Sequence, residues 1–110
     1  MALTEAEFQA HADGALNRLN RALGVVADQH DVEVLFQNGV LTIEVDQPSP
    51  GKIVISPNSP VRQIWISAQS RSYKLDWSGT DFVLAATGEP VGKLVGRLVG
   101  EQLGVEDVGL

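Results

Sequence analysis

Asp28, Asp31 and Glu33, with His30 between them, place three carboxylates within six residues of the chain. Oxygen donors at that density suit hard cations, and an open loop-and-strand arrangement would bind one weakly and leave it largely hydrated. The same residues would equally serve as a solvated acidic edge that keeps a sheet from pairing with another chain. His11 and His30 are the only histidines, and cysteine is absent. Disulfides, thiolate metal clusters and thiol catalysis are therefore excluded. No nucleophile elbow or glycine-rich phosphate loop occurs. Asp31 and Glu33 on an exposed strand would lack the environment that tunes a carboxylate for acid–base work. No enzyme is expected, and His11, beside an apolar stripe, reads as a packed or half-exposed residue rather than a ligand.

A second chemistry lies in Gln63-Ile64-Trp65-Ile66-Ser67. In a strand, Ile64 and Ile66 point to one side and Gln63, Trp65 and Ser67 to the other. The isoleucines mark the core, so Trp65 stands on the polar side. Tryptophan is disproportionately a residue that anchors protein contacts. The alternative is a ring lying flat over Val54 and neighbouring side-chain stems.

The elements that must position these residues follow from periodicity. Thr4 and Glu7 form a capping box ahead of Phe8, Ala12, Ala15, Leu16, Leu19, Leu23 and Val26, one buried helical stripe that the pattern ends between Gly24 and Ala27. From Asp31 the period becomes two. Strands are expected at 31–36 and 41–45, joined by Asn38-Gly39, then at 52–56, 61–67, 71–77 and, in short form, 82–84. QPSPG and PNSP supply turns between them. Thr87-Gly88-Glu89-Pro90 opens a second helix with Val91, Leu94, Val95, Leu98 and Val99 on its apolar face. Gly92, Gly96 and Gly100 weaken it by about 1 kcal/mol each, so tertiary packing must hold it. Val105, Val108 and Leu110, among Glu106 and Asp107, are expected to lie over the gap between the helices.

The resulting order predicts an α+β two-layer sandwich, two helices on one face of a five- or six-stranded antiparallel sheet, in a single domain spanning 1–110. The uncovered face then carries Asp31, Glu33 and Leu35, Thr42 and Glu44, Lys52, Val54 and Ser56, Gln63, Trp65 and Ser67, Lys74 and Asp76. Net charge is −6, and its whole excess falls in residues 1–46; 47–110 hold six acids and six bases. That balance argues against nucleic acid. No apolar run approaches the roughly 20 residues of a membrane span, and the first residues lack a secretory pattern, so a soluble protein of the cytoplasm is expected.

The order of elements, together with NGVLTI (38–43), QIWIS (63–67) following Pro60, and LDWSG (75–79), resembles the frataxin family, called CyaY in bacteria. The resemblance covers nearly the whole chain. It implies a small iron-binding protein that associates with the cysteine desulfurase and scaffold of iron–sulfur cluster assembly, modulating sulfur transfer or supplying iron. Weakly held ferrous or ferric iron would lie on an acidic ridge of the first helix and first strand, where Asp28, Asp31 and Glu33 fall. Trp65 matches the family's exposed tryptophan, Gln63 the polar contact beside it, and Lys74 a basic residue on the same side. Glu44, on that face, joins them as a partner-surface residue. The chain departs from the family in carrying Asn17, Arg18, Asn20 and Arg21 toward the end of the first helix and Leu35 on the first strand. Weaker or fewer metal sites are expected, and the alternative is an interaction module of the same machinery that no longer binds iron appreciably.

Overall fold

The structure is a computed structural model that describes residues 3–46, 50–68, 70–106, 108 and 110. Gln47, Pro48 and Ser49 of the QPSPG turn, and Asp107 of the tail, lie outside the described residues.

Helix α1 (Glu5–Gln29) begins at the capping box. The Thr4 hydroxyl accepts the Glu7 backbone N–H at 3.1 Å, and the Glu7 carboxylate accepts the Thr4 N–H at 3.0 Å. Two donors that the first turn would orphan are thereby satisfied. All seven residues of the expected stripe, Phe8 to Val26, are buried. The helix does not end between Gly24 and Ala27; it continues to Gln29. Val26 is still on the buried stripe, and its packing outweighs the roughly 1 kcal/mol that glycine costs a helix interior. His30 stops the helix in an extended conformation, its N–H donating to the Val26 carbonyl.

Among the described residues, β1 (Val32–Gln37), β2 (Val40–Val45), β3 (Gly51–Asn58), β4 (Gln63–Ala68), β5 (Arg71–Trp77) and β6 (Phe82–Leu84) form one antiparallel sheet in sequential order. Asn38 and Gly39 both take positive φ, 56° and 76°, as the two-residue hairpin between β1 and β2 demands. Gln37 therefore faces Val40, and the register runs back to Val32 opposite Val45.

The fourth strand begins two residues later than alternation predicts. Ser59–Val61 form a 3-10 turn around Pro60, whose fixed φ suits a turn, and Arg62 is left-handed at φ 54°. The Arg62 guanidinium donates to the carbonyls of Leu3 and Ser59, and the Gln9 amide donates to the Ser59 hydroxyl at 2.5 Å, tying this turn to the start of α1. β3 is correspondingly longer than 52–56. Pro57 and Asn58 pair with Ile64 and Gln63 beyond the last β2–β3 pair, Leu41 with Ile55.

Helix α2 (Val91–Leu103) buries Val91, Leu94, Val95, Leu98 and Val99, and with them Gly96 and Gly100. The tail lies against those glycines, the N–H of Val105 donating to the Gly100 carbonyl and that of Val108 to the Gly96 carbonyl. Val108 and Leu110 pack on the core as expected, but Val105 is exposed; the left-handed Gly104 turns the chain so that its side chain points away. Arg97 grips Glu89 through Nη2 at 2.9 Å and Nε at 3.2 Å, pinning the turn that precedes α2. Hydrogen bonding to Glu89 raises the guanidinium pKa further above its ordinary value.

Both helices share one core with the sheet's inner positions, including Ile43, Ile53, Ile55, Ile64, Ile66 and Leu75. The two-layer α+β sandwich is thus present, with the sixth strand included. His11 is a packing residue: its ring stacks on Trp77 at 3.9 Å, and Trp77 and Phe8 both meet Phe82 edge-on.

Candidate functional site: the uncovered face of the sheet

Alternation along β4 buries Ile64 and Ile66 completely or nearly so and leaves Trp65 37% exposed on the opposite face. The indole is held there by its neighbours. Its Nε1–H donates to Oε1 of Gln63 at 2.9 Å, and the Gln63 amide donates to Oδ1 of Asp76 on β5 at 3.0 Å. Cross-strand register makes this possible, since Gln63 faces Asp76 and Trp65 faces Lys74. Lys74 places its ammonium 4.9 Å from the indole centroid, a cation–π contact. Gln63, Trp65 and Lys74, expected together from the sequence, are brought together; Asp76 was recognised as outward-facing but not as the group that orients Gln63.

Beside the indole lies a shallow hollow bordered by Val54, Ser56, Ser67, Ser72 and Lys74. Its walls combine hydroxyls with apolar surface. Such an arrangement suits a contact that buries an aromatic edge while satisfying polar groups around it. The orienting bonds also lower the entropy a partner must remove, because the indole is already positioned.

Glu44 lies on the same face but on β2, away from Trp65. It stands directly opposite Glu33 of β1 on one side and Lys52 of β3 on the other. The third group is dispersed. Asp28 is in the last turn of α1, Asp31 precedes β1, and Glu33 points outward from the strand; all three are exposed. The last turn of α1 contains no basic residue, so Asp28 adds to the negative end of the helix dipole. Among the described residues, no three His, Cys, Asp or Glu side chains converge as a metal-holding group. Asp28, Asp31 and Glu33 are thus three separate exposed carboxylates, on the last turn of α1, before β1 and on β1.

Elsewhere, Glu7 is held below the usual glutamate range, first by the Thr4 backbone N–H and then by the Thr4 hydroxyl. That shift belongs to the helix cap. No helix among the described residues is long and apolar enough to cross a membrane.

A frataxin-like domain matches residues 1–105. The iron-sulfur cluster assembly protein CyaY of Azotobacter vinelandii (strain DJ) is 31% identical over 110 residues, covering 96% of this chain and 94% of the relative. The protein of the same description from Ralstonia nicotianae is 34% identical over 89 residues, covering 79% and 77%. In three dimensions, frataxin from Psychromonas ingrahamii matches with a TM-score of 0.81 over 96% of each chain at 16% identity, a likeness of fold.

Proposed function

The chain belongs to the frataxin-like domain family, and from that membership we propose that it is an accessory protein of iron–sulfur cluster assembly that acts by docking rather than by catalysis. Its proposed partners are a cysteine desulfurase and the scaffold protein on which clusters are built, and it acts as a monomer in the cytoplasm. The contact surface is the uncovered face, with Trp65 as anchor, Gln63 and Lys74 as the groups that hold it, and Glu44 on the acidic side. One observation carries this reading. A tryptophan stands on a mostly polar sheet face with its N–H and one ring face already engaged by its own neighbours. The negative charge concentrated in residues 1–46 speeds encounter with a basic partner.

Iron, as cargo, is proposed to bind weakly along Asp28, Asp31 and Glu33, in ferrous or ferric form. A second reading, a docking module that binds no iron appreciably, is favoured by the lack of any converging three-ligand group among the described residues. Anaerobic titration with ferrous iron, followed by amide shifts, separates the two. Movement confined to residues 28–33 supports cargo binding; none at millimolar iron leaves the docking module. The docking role itself is tested by capture from lysate. Wild type is expected to retain a cysteine desulfurase and Trp65→Ala to release it; equal retention by both removes the assigned surface.

A further inference from the structure

Among the described residues, Gln102 in the last turn of α2 is the one polar side chain that is buried. Gly51 makes room for it, because a Cβ there would collide with the Gln102 amide. Gln102 lines a hollow of about 260 Å³ between the end of α2 and the helix side of the sheet. Buried Ile53, Ala68 and Leu98 give the hollow an apolar floor. Its rim carries Ser70, Arg71, Tyr73 and Glu101. Alternation back from buried Leu75 sends Tyr73 and Arg71 to the helix side of β5, so Arg71 faces the last turn of α2 across the hollow. The two charges of the rim do not meet. The Arg71 guanidinium has no ion pair or hydrogen bond among the described residues, and Glu101 holds only Arg97, at a long 3.4 Å.

We propose that this hollow binds a free α-amino acid as its zwitterion, with the carboxylate at Arg71, the ammonium at Glu101 and a short apolar side chain on the floor of Ile53, Ala68 and Leu98. Opposite charges that border one hollow without pairing call for a molecule that carries both signs. A simple anion held by Arg71 would sit beside the Glu101 carboxylate, and a simple amine held by Glu101 beside the guanidinium. The zwitterion compensates each. Arginine's planar fork takes a carboxylate through two parallel bonds. At the other end, the last turn of α2 contains no basic residue, so an ammonium beside Glu101 also meets the negative end of the helix dipole. Size agrees, since the hollow falls below the roughly 300–1,000 Å³ of pockets for drug-sized ligands. The site is on the opposite side of the sheet from Trp65, so it stands or falls independently of the docking function.

The test uses isotope-labelled protein titrated with L-leucine, with isocaproate, which lacks the ammonium, and with isoamylamine, which lacks the carboxylate. Amide shifts are expected at residues 70–73 and 98–102, with half-saturation by leucine on the order of 1 mM and each single-charge compound at least about tenfold weaker. Arg71→Gln and Glu101→Gln should each weaken leucine binding by about tenfold, and Lys93→Gln, an exposed cation of α2 outside the hollow, should leave it within about twofold. Arg71 and Glu101 are exposed, so both variants are expected to fold. In Arg71→Gln, leucine and isoamylamine should bind alike. Equal affinity of wild type for the three compounds, or undiminished leucine binding by Arg71→Gln, overturns the proposal. So does isocaproate binding as tightly as leucine, which would make the hollow an anion site, or the absence of any leucine shift at about twenty times the expected half-saturation.

Discussion

Trp65 is constrained through three side chains, each held to the next by one contact: Asp76 accepts from Gln63, Gln63 accepts from the indole, and Lys74 covers part of the ring. These bonds are exposed, so they contribute little to folding and much to where the indole points. Gln63→Ala is accordingly expected to cost no more than about 1 kcal/mol in denaturant unfolding while weakening partner binding several-fold. Loss of stability well beyond that, with docking intact, would show the glutamine to be structural. The Thr4–Glu7 cap makes a different prediction. Thr4→Ala should cost about 1 kcal/mol. Glu7 titrates below its unfolded value, so the unfolded chain takes up its proton first on acidification. The stabilisation it gives is therefore complete above the ordinary glutamate range and is lost as pH falls through its own lowered pKa. Unfolding curves of wild type and Glu7→Gln should differ at neutral pH and converge in strong acid. The outward aim of Trp65 was legible because strand alternation needs no tertiary information. The Asp76 link was not, since the β4–β5 turn has no residue pair that dictates register.

At the scale of elements, glycine marks where local preference and packing disagree. Gly24 lies in α1 with nothing within 4 Å of an added Cβ, so Gly24→Ala should stabilise by about 0.5–1 kcal/mol. Gly51, at the start of β3, is the opposite case. A Cβ there would run into the side-chain amide of Gln102 on α2, a residue that is 7% exposed. Because the obstructing atoms are the far end of a flexible side chain that can turn aside, Gly51→Ala should destabilise by no more than about 1 kcal/mol, and the pair of thermal melts checks both signs at once. Element types could be read from the chain because period and turn chemistry agree; boundaries could not wherever packing overrides propensity. α1 passes Gly24 because Val26 is buried, and β4 starts late because Pro60 takes the chain into a turn. The glycine row of α2 showed that the helix needs support, and Val105 and Val108 of the tail give it by bonding to the carbonyls of two of the three glycines. By contrast, the opposition of Glu33 and Glu44 was already implicit in Asn38-Gly39, whose two-residue turn sets the whole β1–β2 register.

The molecule as a whole divides its work between two layers. Helices and inner sheet positions supply the core, which leaves the other face of the sheet free to carry an aromatic anchor near β4 and β5 and negative charge along β1 and β2. The central claim is that partner binding runs through Trp65. Calorimetric titration of a purified cysteine desulfurase with wild type and Trp65→Ala tests it most directly. The account predicts at least about a tenfold loss of affinity while the variant still unfolds cooperatively on heating; equal affinities for the two proteins would contradict it.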